Sequence, residues 1–341
     1  MTPTSSPRVY VVVLNWNGWK HTVQCLESLL RSAYANMCVV VCDNGSTDGS
    51  LDQLIAWASG RLIPEPLPKP HLQSLVSPLL AKPIEYTRLN RAQAEAGGGD
   101  VAPTKLVFVQ TGANLGFAGG CNVGARYAVA RGDADFVWFL NNDTLVKPDA
   151  LSQLVVHATA DPNIGLCGST LLAFDHPARV QALGGAIYQP WSGRTWHIGV
   201  GTSLDTHRIN PAEVERQMDY VVGASMMASR RFLDEVGLMT EDYFLYFEEL
   251  DWVLRGRKRF RLGYAPKSIV YHIEGASSGF SNNYFYLYRN AVRVTARFHP
   301  WWVPLVVLRL AGKFVSAVIR GQHDEVRLFL SSRFLTKALQ R

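Results

Sequence analysis

The chain has 341 residues, of which 48% are hydrophobic and 18% are charged, so it is long and apolar enough for a sizeable folded core. This composition excludes a disordered chain, and the length accommodates one large α/β domain or two ordinary ones. Of the net charge of +6, residues 289–341 contribute +8 and residues 1–288 contribute −2, so the basic excess belongs to the C-terminal tail.

The cysteines and the N-terminus favour a cytoplasmic protein. The five cysteines are odd in number and form no CxxC pair, and Cys38 and Cys42 lie in an apolar run as small core residues. The N-terminal MTPTSSPR lacks the cationic and apolar segments of a signal peptide. We expect no clean membrane span, because no apolar run of about 18 residues is free of charge.

The first half of the chain predicts alternating strands and helices. Residues 9–15 (VYVVVLN) form a β-branched run typical of a strand buried on both faces, and residues 22–33 have helical apolar spacing. Residues 37–50 repeat the strand and turn, which completes a βαβ unit. Further strands are predicted at 105–110 and 136–140, with a glycine-rich turn and a helix between them. A helix and another strand (164–170) follow.

Residues 60–104 interrupt this alternation. They contain PEPLPKP, three more prolines and three consecutive glycines. Such a stretch seldom occurs inside a compact domain. We therefore predict a long, partly disordered insertion.

The second half is less regular. A strand is predicted over 220–229, a short helix over 230–237 and a longer helix over 247–259. Residues 261–273 (RLGYAPKSIVYHI) suggest a hairpin-like pair of short strands, and the tail from Tyr284 is apolar, basic and helical. We divide the chain into a domain over 1–280 and a basic amphipathic tail over 281–341.

Polar residues recur where the predicted strands end. The first strand ends at Asn15, the second at Asp43, the third leads to Asn114, and the fourth ends at Asn141 to Asp143. One such turn alone is more often only a turn, but four in a row indicate a ligand site at the carboxyl edge of a parallel sheet. Amides and carboxylates suit a nucleotide, and Asp143 suits Mg²⁺ or Mn²⁺. Neither a GxxxxGK[ST] loop nor a GxGxxG fingerprint is present.

Seven motifs occur in order along the chain: VVVLNWNG, VVVCDNGSTDGS, NLGFAGGCNVGARYA, FLNNDT, GASMMASRR, YFLYFEELDWVLRGR and VYHIEG. With these motifs the chain resembles the family 2 glycosyltransferases of the GT-A fold, in particular the bacterial rhamnosyltransferase-like group. The motifs extend over most of residues 8–279. The resemblance implies an α/β fold with a Rossmann-like, mostly parallel central sheet flanked by helices, followed by a C-terminal helical extension.

The resemblance also implies roles for individual residues. The donor nucleotide would be bound by Asn15, Asn17, Asp43, Asn114, Gly116, Gly119 and Asn142. Metal ligands would be Asp143, His272 and, weakly, Asn141, where the family usually has aspartate. Glu249 would be the general base, and the acceptor would lie near Gly223, Ala224 and Ser225.

The acidic helix leaves the base open. The family usually has Glu-Asp where this chain has Glu248-Glu249, so Glu248 is an alternative base. Asp251 is a third candidate, although Arg255 four residues later suits a structural ion pair. The alternatives without a catalytic role are a solvated amphipathic helix over 247–259 and an ordinary core histidine at His272.

The expected activity is inverting, metal-dependent sugar transfer, with L-rhamnose from dTDP-rhamnose as the expected donor. The acceptor would be a hydroxyl of a glycan or lipid-linked molecule in cell-surface polysaccharide synthesis. One alternative is a nucleotidyltransferase, although the NWNGW loop has no basic residue and only Lys20 follows it. A second alternative is a non-catalytic sugar-nucleotide or glycan-binding protein.

The tail leaves three interpretations open. Basic and apolar residues with Trp301 and Trp302 suit peripheral binding to the cytoplasmic face of the inner membrane. A helical cap on the domain and a homodimer interface are the alternatives. We expect no nucleic-acid binding, because no recognised motif is present.

Overall fold

A mostly parallel central sheet organises the protein. The structure is a computed structural model that describes residues 6–99, 104–204, 209–273 and 280–322. Its strands are β1 (Val9–Asn15), β2 (Met37–Asp43), β3 (Tyr86–Asn90), β4 (Leu106–Gln110), β5 (Phe136–Asn141), β6 (Thr144–Val146), β7 (Ile164–Ala173), β8 (Val180–Leu183), β9 (Gly185–Gln189), β10 (Arg194–His197), β11 (Tyr220–Val221), β12 (Ser225–Ser229) and β13 (Arg261–His272). Within the described residues ten strands form the main sheet, in the order β3-β4-β2-β1-β5-β12-β7-β13-β6 with β8 beside β7.

Helices cover both faces of this sheet. They are α1 (Trp19–Leu29), α2 (Ser50–Ala58), α3 (Arg91–Glu95), α4 (Gly116–Arg131), α5 (Ala150–Thr159), α6 (Pro211–Gln217), α7 (Arg230–Val236), α8 (Glu248–Gly256), α9 (Phe280–Phe298) and α10 (Val303–Ile319). The valines of β1 are fully buried, with Val11 and Val13 in one apolar cluster and Val12 in another. A strand buried on both faces therefore needs the unbroken apolar run that the sequence has.

The parallel half of the sheet places the predicted polar residues at one edge. β1 pairs in parallel with β2 and with β5, and β4 pairs in parallel with β2 and β3. Their carboxyl ends therefore lie together. The prediction of an α/β fold with a mostly parallel sheet is confirmed.

The insertion differs from its prediction. Its described residues contain a 3-10 turn (Pro70–Leu75), the strand β3 and the helix α3. β3 forms the edge of the sheet by pairing with β4. Asn90 starts α3 with a capping box that involves Gln93.

Two predictions in the second half were wrong. Residues 261–272 form one strand with an irregularity between Ala265 and Ile269, not a hairpin. Residues 220–229 divide between β11, in a separate three-stranded sheet with β9 and β10, and β12, which lies antiparallel between β5 and β7. The strands β8, β9 and β10 were not predicted, because strands of four or five residues are too short to show a clear alternating pattern.

The tail is helical, and its two helices differ. α9 packs on the domain, where Ala291 and Val294 join an apolar cluster with Tyr243, Phe247 and Leu250. α10 packs on α9 but leaves many apolar side chains exposed. Among the described residues one helical stretch, Pro300–Ile319, has the length and apolar composition to cross a membrane, contrary to the expectation of no clean span.

Candidate active site

A buried hydrogen-bonded network joins the ends of β1 and β2. Asn15 and Asp43 are paired across the two strands, and Asn15 Nδ2 donates to Asp43 Oδ1 at 2.8 Å. Thr22 Oγ1 donates to Asn15 Oδ1 at 2.7 Å and receives the amide of Asn142 at 3.0 Å. Asn142 therefore lies inside the network, and Thr22 is a member that the sequence did not single out.

Asn17 shapes the turn after β1. Its φ of 49° lies in the left-handed region, where asparagine is tolerated better than most residues. Its Oδ1 accepts the backbone N–H of Thr47 at 2.7 Å, and Ser46 Oγ accepts the N–H of Asn17 at 2.9 Å. The side chain of Asn17 thus connects two loops at the rim.

The glycine-rich loop after β4 is held by Asn44. Its Nδ2 donates to Asn114 Oδ1 and to the carbonyl of Gly116, both at 3.1 Å, and its Oδ1 accepts the N–H of Leu115 at 3.1 Å. Asn44 is buried while Asn114 is exposed at the rim. The predicted residue Asn114 is therefore positioned by an asparagine that was not selected.

At two positions near the start of α4, steric contacts leave no room for a side chain, which explains the glycines there. Gly116 has a φ of +74°, and a Cβ there would collide with the backbone of Phe244. The N–H of Phe117 donates to the same Phe244 carbonyl at 2.6 Å. A Cβ on Gly119 would come within 2.7 Å of Leu115 Cβ. The loop over the predicted donor site therefore contacts the segment that leads to the acidic helix.

Asp143 and His272 meet across two strands. His272 ends β13 opposite Thr144 of β6, and its Nε2 lies 3.3 Å from Asp143 Oδ1 and 3.4 Å from Asn141 Nδ2. Asp143 is 5% exposed, and within the described part of the chain its Oδ1 accepts no hydrogen bond. The three residues that were predicted as metal ligands lie together.

Gln181 fixes the orientation of the His272 ring. Its amide Nε2 donates to the His272 carbonyl at 2.9 Å, so its Oε1 accepts from His272 Nδ1 at 3.0 Å. With the proton on Nδ1, the Nε2 lone pair faces Asp143 Oδ1. Gln181 was missed because it lies about 90 residues from the histidine in a four-residue strand.

This arrangement fits a divalent cation. An imidazole lone pair and a carboxylate oxygen facing each other repel unless a cation or a proton lies between them. No cluster of three His, Cys, Asp or Glu side chains able to hold a metal occurs in the part of the chain that the structure describes. The pair would therefore form an incomplete shell, which suits a cation that also binds substrate phosphates.

The acidic pair begins α8. Glu248 is 2% exposed, and its Oε2 has no hydrogen-bond partner among the described residues. Burial and the neighbouring charge of Glu249 raise the Glu248 pKa well above its usual value. Glu249 is partly exposed, and burial raises its pKa to about 7, with the N–H of Gly223 as one of the groups that oppose the rise. A carboxylate with this pKa accepts a proton well near neutral pH.

The loop before the pair is strained. Phe244, Tyr246 and Phe247 all have positive φ, between 66° and 74°. Non-glycine residues in this region cost about 1–3 kcal/mol each and persist where surrounding contacts determine them. The backbone thereby reverses direction so that α8 starts with both glutamates at the rim.

Asp251 is structural. It is fully buried and accepts hydrogen bonds from Thr240 at 2.7 Å, Tyr243 at 3.0 Å, Arg255 at 2.9 Å and Arg297 at 2.7 Å. All of its acceptor capacity is used inside the protein. The predicted ion pair with Arg255 is confirmed, and Asp251 is not free to act as a base.

The three predicted acceptor residues differ in position. Gly223 contacts Glu249 so closely that a Cβ would collide with that carboxylate. The Ala224 carbonyl accepts a hydrogen bond from the N–H of Asn141 at 3.1 Å. Gly223 and Ala224 therefore connect Glu249 to the end of β5. Ser225 is buried and bonded to Trp138 and Ser169, so it faces the core and not the rim.

The mostly parallel sheet, the carboxyl-edge site and the acidic helix define a glycosyltransferase of the GT-A fold. The sequence profile described as glycosyl transferase family 2 matches residues 10–70 and 95–237. The chain belongs to glycosyl transferase family 2.

Two curated proteins are similar in sequence. An N-acetylglucosaminyl-diphospho-decaprenol L-rhamnosyltransferase of Mycobacterium tuberculosis is 25% identical over 288 residues, which cover 79% of this chain and 77% of that protein. The low-salt glycan biosynthesis hexosyltransferase Agl10 of Haloferax volcanii is 24% identical over 157 residues, which cover 44% of this chain. That match spans only 46% of the archaeal protein's length.

Two solved structures share the fold. A mannosyltransferase of Pyrobaculum calidifontis, in complex with GDP-Man and Mn²⁺, has a TM-score of 0.50 at 16% identity and covers 98% of this chain and 84% of its own. GalNAc-T7 with UDP, GalNAc and Mn²⁺ has a TM-score of 0.53 at 13% identity. The match covers 86% of this chain and 48% of that protein. At these identities the likeness shows the fold alone.

Proposed function

We propose that the protein is an inverting, metal-dependent glycosyltransferase that uses a nucleoside-diphosphate sugar. The observation that carries the proposal is an Asp143 carboxylate beside His272 whose Oδ1 lacks a hydrogen bond among the described residues, together with Glu249, whose pKa is about 7 and which Gly223 and Ala224 connect to Asn141. The first suits a cation on a diphosphate and the second suits a general base.

In this reaction Glu249 takes the proton of the acceptor hydroxyl. The hydroxyl oxygen forms a bond to the anomeric carbon as the bond from that carbon to the diphosphate oxygen breaks, which inverts the configuration. Asp43 contributes to the nucleoside site, and Asn15, whose side chain is fully buried and hydrogen-bonded, orients it. Asn114, Gly116 and Gly119 shape the loop over the ribose and diphosphate. Asp143 and His272, with Asn141 nearby, would hold Mg²⁺ or Mn²⁺, which stabilises the negative charge of the departing diphosphate.

The donor that we propose is dTDP-L-rhamnose, and the acceptor is a glycan or a lipid-linked sugar in cell-surface polysaccharide synthesis. The choice of rhamnose follows the mycobacterial relative, which is named as an N-acetylglucosaminyl-diphospho-decaprenol L-rhamnosyltransferase. The protein would act in the cytoplasm, where sugar nucleotides occur.

A screen of donors tests the activity. The protein is heated with UDP-, dTDP- and GDP-sugars, with and without Mn²⁺ or Mg²⁺, and the stabilising donor is then incubated with candidate acceptors. A true donor raises the Tm by mass action and releases its nucleoside diphosphate on transfer. Release of pyrophosphate would instead indicate a nucleotidyltransferase, and donor binding without turnover over a broad acceptor set would indicate a binding protein.

We also propose that α10 binds the cytoplasmic face of the inner membrane. Trp301 is 90% exposed, Leu308 68% and Ile319 79%. Arg309 is half-buried, and Lys313 bonds to Tyr288 of α9, so these charges face the protein and leave an apolar outer face. An acceptor on a lipid carrier would bring the enzyme to such a surface.

Flotation with vesicles that contain anionic phospholipid tests this binding. The double variant Leu308→Ser with Ile319→Ser should lose most of its vesicle binding. The matched control is Val156→Ser, because Val156 is a comparably exposed apolar residue on α5. Equal binding by all three proteins would exclude α10 as the membrane surface.

A further inference from the structure

The 242–247 loop, which leads into the acidic pair, depends on other parts of the chain for most of its backbone-carbonyl hydrogen bonds. Its positive φ values at Phe244, Tyr246 and Phe247 turn the carbonyl groups away from a regular helix or strand. Buried carbonyls in such a segment need donors from elsewhere. Phe117 donates to the Phe244 carbonyl and Asp251 to the Phe247 carbonyl. The carbonyls of residues 242, 243, 245 and 246 accept hydrogen bonds from α9, a helix of the C-terminal tail.

Asn290 supplies most of these hydrogen bonds. It is fully buried, and its Nδ2 donates to the carbonyls of Tyr243 at 2.9 Å, Leu245 at 2.7 Å and Tyr246 at 2.9 Å. One amide group therefore contacts three carbonyls on both sides of the strained Phe244. The loop cannot adopt an ordinary turn without breaking these bonds.

Arg289 completes the contact. Its Nη2 donates to the carbonyls of Asp242 at 3.1 Å and Tyr243 at 2.8 Å. Its Nε donates to Asn290 Oδ1 at 2.9 Å, which fixes the orientation of the asparagine amide so that Nδ2 faces the loop. The two neighbouring residues thus act as one unit.

We propose that Arg289 and Asn290 are positioning residues for catalysis: they hold the 242–247 loop in the strained conformation that places Glu248 and Glu249 at the rim. The same loop contacts Gly116 and Phe117 through Phe244, so the unit aligns the acidic pair with the loop over the donor. The tail is then part of the active site and not only a means of attachment. The inference rests on the proposed function for its catalytic consequence.

Two measurements on the full-length protein test it. Asn290→Asp keeps the shape of the side chain but replaces the donor with a carboxylate against three carbonyls. Hydrogen exchange of residues 240–252 should become faster, and kcat should fall about 10–100-fold, the cost of a small misplacement of a catalytic group. The donor KM should change much less than kcat, because no donor-binding residue is substituted.

Val292→Ala is the matched control. Val292 lies on the same helix and is equally buried, but it packs toward α10 with Val306 and Leu310. This variant should lower the Tm without faster exchange in residues 240–252 and without a change in kcat per folded enzyme. If both variants behave alike, α9 has only a structural role and the proposal is wrong.

Arg289→Lys provides a second variant if Asn290→Asp does not fold. Lysine keeps the charge but cannot donate to two loop carbonyls and to Asn290 at once, so exchange of the loop should rise and kcat should fall. Unchanged exchange in the loop overturns the inference whether or not the protein transfers sugar. If the wild type transfers nothing while the exchange result holds, the proposed function fails and the loop contact stands.

Discussion

The rim has a proposed donor side, formed by Asn15, Asp43 and Asn44 with their loops, and a proposed reaction side, formed by Asp143, His272, Glu248 and Glu249. The two sides differ in how the hydrogen-bonding capacity of their polar groups is satisfied. On the donor side Asn15, Asp43 and Asn44 bond to one another or to neighbouring loops, so the site is built by the fold itself. On the reaction side Asp143 Oδ1 and Glu248 Oε2 are buried without hydrogen-bond partners in the described chain. Unsatisfied buried groups cost stability and are kept where a ligand or a reaction uses them.

The backbone shows the same difference. The donor side follows regular parallel strands, whereas the reaction side depends on three strained residues and on a helix from the tail. A side chain that ends a regular strand is positioned by the sheet. The acidic pair is positioned by long-range contacts, so it should be the more sensitive of the two to distant substitutions.

The largest effect is expected from Glu249→Gln. Loss of a general base typically costs about 10²–10⁴-fold in rate, and donor binding should stay intact because Glu249 is not among the donor residues. Steady-state transfer rates and donor calorimetry measure the two quantities.

Glu248→Gln is the matched control for this prediction. Burial and the charge of Glu249 raise the pKa of Glu248 well above its usual value, which favours the protonated form that glutamine resembles. Its rate should therefore stay within about tenfold of wild type. The reverse outcome would assign the base to Glu248.

The next effect is expected from Asp143→Asn. Mn²⁺-dependent binding of a nucleoside diphosphate should weaken by more than about 100-fold, since even outer-shell partners of metals cost about 10–100-fold. Gln181→Leu should fall within that smaller range, because it only orients His272.

Calorimetry with and without Mn²⁺ checks both variants. In the absence of metal, Asp143→Asn should raise the Tm, because it replaces an uncompensated buried carboxylate. Unchanged metal-dependent binding would exclude Asp143 as a ligand.

A smaller effect is expected from Gly116→Ala at the boundary of the two sides. The positive φ and the contact with the Phe244 backbone should together cost about 1–3 kcal/mol of unfolding free energy. Gly112→Ala is the control, because Gly112 has a φ of +86° but no atom within 4 Å of a Cβ. Chemical denaturation measures both, and equal losses would mean that the Phe244 contact contributes nothing.

The smallest effect is a pH dependence of stability. The folded-state pKa of Glu249, about 7, lies above the ordinary value of 4.5, so its stabilising contribution is present below pH 4.5 and is lost as the pH rises through 7. The variant Glu249→Gln has no carboxyl group to ionise, so its stability does not fall as the pH rises through 7. Its Tm should exceed that of the wild type by roughly 2–6 °C at pH 8 and by much less at pH 5.

Melting curves across pH 5–8 test this dependence. A Tm difference that is constant over the range would contradict the raised pKa.

The sequence predicted the donor side better than the reaction side. Buried apolar runs locate β1, β2 and β5, and the polar residues that follow them necessarily lie at one edge of a parallel sheet. The meeting of Asp143 with His272 depends on β13, whose residues suggested a hairpin. His272 was predicted as a metal ligand from the family resemblance, not from the hydrophobic pattern of the strand.

Two features could not be predicted for physical reasons. β3 is an edge strand with one fully buried residue, Leu89, so its apolar signal is weak beside the prolines around it. The roles of Arg289 and Asn290 exist only through contacts with a loop more than 40 residues earlier in the chain. A local pattern cannot report such contacts.

The length of β13 has a consequence for the cation pair. This strand runs for 12 residues beside β7 and delivers His272 opposite Thr144 only after an irregularity between Ala265 and Ile269. Because successive side chains of a strand point to opposite faces, gaining or losing one residue after that irregularity would turn the imidazole away from Asp143. The spacing of residues within β13 therefore dictates whether His272 meets Asp143, the pair that we propose as the cation site.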